Sequence, residues 1–117
     1  MPSLSIIIAA CIAVESGGNP LALGDHGEAR GVLQIHRCVV EDVNRFAHTH
    51  YTWDDAWNVE KSEKIFSLYV GHYDTPQRLG HAATDEDMAR TWNGGPNGWK
   101  KPCSIPYWKR VQQKIFR

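Results

Sequence analysis

The sequence predicts a mainly α protein, a single compact domain around a buried N-terminal helix. Residues 4–14 hold no polar side chain except Ser5 and the small thiol of Cys11, and a helix that is apolar on nearly all sides belongs in the interior of a domain. Later segments carry helix-capping pairs or apolar residues at three- and four-residue spacings. Since 117 residues are enough for one domain and too few for two, we assign residues 1–117 to one domain.

The first half of the chain is predicted to hold two helices separated by a long loop. Gly17 and Gly18 supply the permissive backbone that commonly ends a helix, and a glycine-rich loop continues to Gly31. The mostly apolar residues 31–35 are either a brief strand or the start of a helix, and periodicity cannot decide over so short a segment. A second helix is predicted from about Arg37 to about Ala47. The residues that it is expected to bury are Val39, Val40, Val43 and Phe46.

The remaining helices are predicted to begin at capping signals. A Thr-x-x-Asp pair at residues 52–55 opens a brief turn, and Asn58 caps a third helix that reaches about Tyr73. The same kind of pair at residues 84–87 opens a fourth helix, which the Gly-Gly-Pro run after Asn93 ends. A last helix begins near Pro106, a residue type favoured in the first turn.

Composition excludes several classes of function. The formal net charge is zero, so no overall basic character favours nucleic acid as a partner. Six Lys or Arg and no acid lie between Trp99 and Arg117, and this basic face either meets an anionic polymer or is only solvated. The three cysteines form no C-x-x-C motif and the histidines are scattered, so we expect no disulfide framework, no metal site and no cofactor. Cys11 and Cys38 are predicted to be small core residues.

The apolar N-terminal segment also resembles the central part of a signal peptide. However, no Lys or Arg precedes Arg30, and cleavage after residues 9–11 would remove the helix that carries Glu15. We therefore interpret Leu4–Val14 as a core helix, and it is too short to span a bilayer, so no membrane insertion is expected. Without a signal, the product is expected to stay in the cytoplasm of the cell that makes it until it is released.

Two carboxylic acids indicate acid–base chemistry. Glu15 is predicted at the C-terminal end of the buried helix, where burial and the negative end of the helix dipole both favour the protonated form that a general acid requires. Asp25 lies in a polar glycine loop, where we expect it to be exposed. Two carboxyls in such unlike environments are typical of glycoside hydrolysis. Taken alone, Glu15 could instead point into water and Asp25 could be an ordinary turn residue.

Four segments together resemble the goose-type lysozymes and soluble lytic transglycosylases. The Glu-Ser-Gly-x-Asn-Pro motif at residues 15–20 is similar to the catalytic Glu-Ser turn of that family, and residues 31–35 are similar to its Gly-Leu-Met-Gln segment. Residues 91–96 resemble its Ala-Tyr-Asn-Ala-Gly segment, with Trp in place of Tyr, and residues 107–111 resemble its closing Tyr helix. The order of the four segments matches the family, and the chain looks most like a phage-type cell-wall lytic enzyme, or endolysin.

The resemblance implies a lysozyme-like fold and a set of site residues. Glu15 would be the catalytic acid, and Asp25 would position or activate the attacking water. The side chains that would bind substrate are Ser16, Gln34, His36, Trp92, Asn93 and Tyr107, with Tyr107 near enough to help orient Glu15. The implied reaction is hydrolysis of the bond between N-acetylmuramic acid and N-acetylglucosamine in peptidoglycan, which would make the protein bacteriolytic.

The resemblance also leaves alternatives open. The goose-type pattern has a second Asp directly after its Gln segment, where this chain has His36. A lytic transglycosylase needs neither Asp, uses Glu15 as its sole acid and base, and forms 1,6-anhydro-muramic ends. From another class of function, a non-catalytic module could bind peptidoglycan or chitin oligosaccharides in the same cleft. We expect a monomer whose partners are peptidoglycan glycan strands, with a holin-type protein opening the membrane for a phage-type enzyme.

Overall fold

Six helices and one short hairpin form the part of the chain that the computed structural model describes, residues 4–115. The hairpin pairs strand β1 (Leu23–Gly24) with strand β2 (Ala29–Arg30) in antiparallel register. Short 3₁₀ turns complete the chain at Asp25–Gly27, Trp53–Trp57, Gly98–Lys100 and Pro102–Ser104. The helices are α1 (Leu4–Glu15), α2 (Arg37–Ala47), α3 (Val59–Tyr73), α4 (Pro76–Leu79), α5 (Asp85–Gly94) and α6 (Ile105–Ile115).

Helix α1 packs mainly against α6 and also contacts α5 and α3. Ile7 and Cys11 are fully buried on this helix, as expected for a core element. Its first turn is less enclosed than the apolar sequence predicts, because Leu4 and Ile6 remain 38% and 49% exposed. The helix therefore lies at the edge of the core at its start, is buried in its middle, and is half-buried in its last turn, which ends at Glu15.

The capping signals predicted most of the helix starts. Thr52 and Asp55 form the expected reciprocal capping box, and so do Thr84 and Asp87. The Asn58 side chain accepts a hydrogen bond of 2.8 Å from the backbone N–H of Lys61 at the start of α3. The predicted bounds of α2 and α3 are confirmed, α5 begins and ends within one residue of its predicted positions, and α6 begins one residue before Pro106.

Several features differ from the sequence prediction, and the short helix α4 was not predicted. The loop between α1 and α2 contains the β1–β2 hairpin, whose strands of two residues are too short to give an alternating pattern. Residues 31–35 form a turn that ends in an isolated bridge between Ile35 and Arg30, so they are neither a strand nor a helix start. Cys38 is exposed, which corrects its prediction as a core residue. It lies in the first turn of α2, and this helix buries Val40 and Val43 instead.

Gly31 is required where the hairpin passes into the next turn. Its φ angle is +79°, and a Cβ atom there would lie 1.9 Å from the carbonyl oxygen of Ala56. We expect Gly31→Ala to lower the free energy of unfolding by at least ~2 kcal/mol, because left-handed backbone strain and steric overlap add together. Equilibrium unfolding in urea measures the change.

Gly71→Ala is the matched control for that experiment. Gly71 lies within α3, and no atom is within 4 Å of a Cβ atom built there. Alanine has the higher helix propensity, so the free energy of unfolding should stay the same or rise by up to ~1 kcal/mol. Similar small effects of the two substitutions would contradict the role assigned to Gly31.

No helix within residues 4–115 is both long and apolar enough to cross a membrane.

Candidate active site

A cleft of about 330 Å³ lies where α1 ends, beside the hairpin and the C-terminal end of α5. Side chains from four separate parts of the chain meet there, because the turn at residues 31–36 brings the hairpin against the first turn of α2. The residues that line the cleft are Glu15, Asp25, Gln34, His36, Val39, Trp92 and Asn93.

Glu15 is the last residue of α1 and is half-buried. The pKa of its carboxyl is raised to about 7, mainly by burial and also by the negative charge of Asp25. The hydrogen bond from Tyr107 and the nearby indole N–H of Trp92 act in the opposite direction, since they favour the carboxylate, as does the positive charge of Arg110. The balance leaves the pKa of Glu15 well above that of an ordinary glutamate and close to neutral pH. Such a group can both donate and accept a proton at neutral pH.

Tyr107 lies behind Glu15, on the side away from the cleft. Its hydroxyl donates a hydrogen bond of 3.2 Å to Oε2 of Glu15, and the residue is only 3% exposed. Tyr107 is not among the described residues that line the cleft, and the expectation that it contacts the sugar stays a prediction. Its hydroxyl is also paired with the thiol of Cys11, whose pKa burial raises to about 12, so the thiol is neutral. Tyr107 is placed to orient Glu15.

Asp25 is on the hairpin, in the 3₁₀ turn between the two strands. Its side chain is 68% exposed, and Oδ2 lies 2.9 Å from Nε2 of His36. Asp25 and His26 have φ angles of 48° and 57°, a left-handed conformation that is uncommon for residues other than glycine. The strained turn and the imidazole together fix the direction of the carboxylate, and Oδ1 keeps no partner among the described residues. His36 is therefore a partner of Asp25 in addition to lining the cleft.

Gln34 fixes the hairpin to the turn that follows it. Its Nε2 donates hydrogen bonds of 3.1 Å and 3.0 Å to the carbonyl oxygens of Ala22 and Gly31. A Cβ atom at Gly24 would lie 2.2 Å from Oε1 of Gln34, so a side chain there would displace the end of the Gln34 side chain. With its N–H groups bonded to the backbone, Gln34 presents only Oε1 as an acceptor for a ligand.

Trp92 and Asn93, at the end of α5, form the opposite wall. The Trp92 ring packs against Phe66 and Tyr69, with centroids 4.7 Å and 5.6 Å away, and its Nε1 donates to the carbonyl oxygen of Leu33 at 3.3 Å. Asn93 is exposed, and its amide makes no hydrogen bond to any described residue. The wall thus has one fixed aromatic face and one free amide.

Ser16 does not line the cleft. Its hydroxyl donates to the carbonyl oxygen of Val32 at 2.8 Å and accepts a hydrogen bond from the N–H of Gly18 at 3.1 Å. Ser16 therefore stabilises the turn after α1, and the expectation that it binds substrate stays a prediction. Val39 lines the cleft but was predicted only as part of the buried stripe of α2. A half-buried apolar residue on an amphipathic helix gives no sequence signal for a cleft wall.

Within residues 4–115, no three His, Cys, Asp or Glu side chains meet in a group that could hold a metal ion.

Comparison with known structures identifies the fold. The chain is similar to Tapes japonica lysozyme, with a TM-score of 0.79 and 24% sequence identity over 96% of this chain and 92% of that chain. The fold is lysozyme-like. The chain is also similar to a chain of the crystal structure of Aeromonas hydrophila PliI in complex with Meretrix lusoria lysozyme. There the TM-score is 0.80 and the identity 25%, over 97% of this chain and 93% of that chain.

The same comparisons limit how far the sequence resemblance extends. No protein-family model and no curated protein sequence matches the chain. Neither of the two similar structures is described as a goose-type lysozyme or a transglycosylase. The lysozyme-like fold is thus confirmed, and the narrower goose-type resemblance stays a prediction.

Proposed function

We propose that this protein is a lysozyme that cleaves the β-1,4 bond between N-acetylmuramic acid and N-acetylglucosamine in peptidoglycan. The observation that carries the proposal is Glu15, whose pKa is raised to about 7 in a cleft that it shares with Asp25. A lysozyme-like fold supports the same substrate class. Incubation with purified peptidoglycan tests it, and the expected result is the release of soluble fragments.

In the proposed mechanism, protonated Glu15 donates its proton to the leaving glycosidic oxygen. Tyr107 holds the carboxyl in place through the hydrogen bond to Oε2. Asp25 is the second carboxylate, and His36 leaves its Oδ1 available toward the cleft. Asp25 then activates a water molecule or stabilises the sugar cation, and the separation of the two carboxyls across the bound sugar decides between inversion and retention.

The substrate is proposed to lie along the wall formed by α5. The apolar faces of Trp92 and Val39 suit the apolar face of a sugar ring, and the free Asn93 amide suits the N-acetyl group. The exposed basic side chains of α6, Lys109, Arg110 and Lys114, would attract an anionic cell wall.

A lytic transglycosylase is the second candidate, and one observation favours it. A carboxyl with a pKa of about 7 can give its proton to the leaving group and then take one from the C6 hydroxyl of the sugar, without help from Asp25. This is the route of the soluble lytic transglycosylases, which the sequence also resembles. The two candidates differ in their products by one water molecule.

A non-catalytic sugar-binding module is less consistent with the site. Binding requires no acid with a raised pKa, whereas Glu15 is placed in a setting that raises it. A binding module would retain peptidoglycan without releasing soluble fragments, so the incubation experiment separates the two classes.

The fall of the cleavage rate at alkaline pH is predicted to follow the ionisation of Glu15. A general acid must be protonated, so cleavage should continue at pH values below 7 and fall about tenfold per pH unit above its pKa of about 7. The measurement is kcat/KM between pH 5 and pH 9 on a soluble oligosaccharide of alternating N-acetylglucosamine and N-acetylmuramic acid. A decline centred near the ordinary pKa of a glutamate would contradict the assignment.

Tyr107→Phe provides a further test of the same carboxyl. The hydroxyl of Tyr107 lowers the Glu15 pKa by stabilising the carboxylate, so its removal should move the alkaline decline to higher pH. A purely structural effect of the substitution would reduce the rate at every pH without moving the profile. An unmoved profile would therefore contradict the positioning role of Tyr107.

A further inference from the structure

A second cavity, of about 440 Å³, adjoins the cleft on the far side of Val39. Val39 lines both spaces, and Pro96 of the second cavity follows Asn93 of the first by three residues. The two spaces therefore open along the same side of α2. The residues that line the second cavity are Cys38, Val39, Glu41, Asp42, Arg45, Tyr69 and Pro96.

The second cavity presents a cation with spare hydrogen-bond donors, Arg45, and an anion that is unpaired among the described residues, Glu41. Asp42 accepts hydrogen bonds from Arg45 and from the hydroxyl of Tyr73, so its carboxylate is already paired. Arg45 is 67% exposed and keeps further N–H donors on its guanidinium. Glu41 is exposed and has no hydrogen bond or ion pair with any described residue. The guanidinium and the Glu41 carboxylate flank a surface formed by Val39 and Tyr69.

This charge pattern does not suit a neutral sugar. The hydroxyl and N-acetyl groups of a glycan carry no charge, and a ligand that contains both a carboxylate and an ammonium group would gain from both fixed charges. In peptidoglycan those groups belong to the short peptide, or stem, that is attached to the lactyl group of N-acetylmuramic acid. The stem carries carboxylates and, at its diamino acid, an amine.

We propose that the second cavity binds the peptide stem of peptidoglycan while the glycan strand occupies the cleft. Arg45 pairs with a stem carboxylate, and Glu41 pairs with the amine of the diamino acid. This inference rests on the proposed function, because it places the substrate of that function across both spaces. It makes the protein selective for stem-bearing glycan over chitin oligosaccharides and over glycan from which the stems have been removed.

The test compares two soluble tetrasaccharides of alternating N-acetylglucosamine and N-acetylmuramic acid, one with stems that contain diaminopimelate and one without. Two quantities are measured: kcat/KM of the wild type, and the Kd of the Glu15→Gln variant by calorimetry. We expect the stem-bearing substrate to be preferred in both. Arg45→Gln and Glu41→Gln should each reduce that preference about threefold to tenfold, the range for a partly exposed charged hydrogen bond.

Lys64→Gln is the matched control, because Lys64 is exposed on α3 and lines neither space. It should leave the preference unchanged. Equal losses on the two tetrasaccharides in Arg45→Gln and Glu41→Gln would overturn the proposal and indicate a further sugar site. An unchanged preference would overturn it as well. If neither tetrasaccharide is cleaved, the proposed function fails, and the Kd ratio still decides whether the cavity recognises the stem.

Discussion

Glu15→Gln is expected to reduce peptidoglycan cleavage by at least ~10²–10⁴, the contribution of general acid catalysis. Glutamine has nearly the same shape and can still accept the hydrogen bond that Tyr107 donates, but it has no proton to give to the leaving oxygen. The rate is measured as soluble fragments released from purified peptidoglycan. Glu60→Gln, an equivalent change at an exposed position of α3, should leave the rate within about twofold, as for most surface substitutions.

The same variant allows an independent check on folding. The pKa of Glu15 is raised in the folded protein, so the unfolded chain loses this proton first as the pH increases. The contribution of Glu15 to stability is therefore lost as the pH rises from about 4.5 toward about 7. Glu15→Gln should lose less stability over this range, because only other carboxyls with raised pKa values, such as Asp74, titrate there. Above pH 7 the variant should unfold at a higher temperature than the wild type. A folded Glu15→Gln protein with wall-lysis activity within a few-fold of wild type would refute the assigned catalytic role.

Asp25→Asn is expected to remove most turnover, about 10²-fold or more, while leaving oligosaccharide binding largely intact. Asparagine tolerates a positive φ as well as aspartate does, so the turn at φ 48° should keep its shape. His26→Asn is the control, because it changes the neighbouring left-handed residue of the same turn without removing a carboxylate. Activity is measured on peptidoglycan, and binding is measured by calorimetry with a soluble oligosaccharide.

Mass spectrometry of the digested wall provides a second test of the role of Asp25. If Asp25 serves hydrolysis, the muramic ends of the wild-type products carry one more water than anhydro ends. Anhydro-muramic products together with nearly normal activity of Asp25→Asn would assign the transglycosylase route instead. In that case Asp25 would be a turn residue, and Glu15 alone would be both acid and base.

The sequence was sufficient to predict the long helices, because the residues that start and end each of them are close together in the chain. Asn58 and the Thr-x-x-Asp pairs satisfy backbone N–H groups only a few residues away, so the pattern and the contact lie in the same stretch of chain. Glu15 was predictable for a similar reason, since the apolar run that buries it directly precedes it. The lysozyme-like fold followed from the order of several motifs.

The features that the sequence did not predict depend on contacts between residues that are distant in the chain. Nothing in residues 25–36 shows that Asp25 and His36 meet, because their contact requires the hairpin to fold back against the start of α2. The depth of Tyr107 depends on how α6 packs against α1. Val39 was counted with the core because an amphipathic helix does not reveal which edge of its apolar face borders a cleft.

The two carboxyls belong to structural elements of different kinds, and this difference affects how the chemistry of the protein can be changed. Glu15 belongs to a helix that is part of the core, whereas Asp25 is on a turn closed by two strands of two residues each. The hairpin is held mainly by Gln34 and by the hydrogen bond from Gly31 to the Ala22 carbonyl, and its tip contributes no buried side chain. Residues 25–28 can therefore be exchanged for other loop sequences as a unit. A library of such grafts would vary the fate of the sugar intermediate while the proton donor and the surrounding helices stay constant.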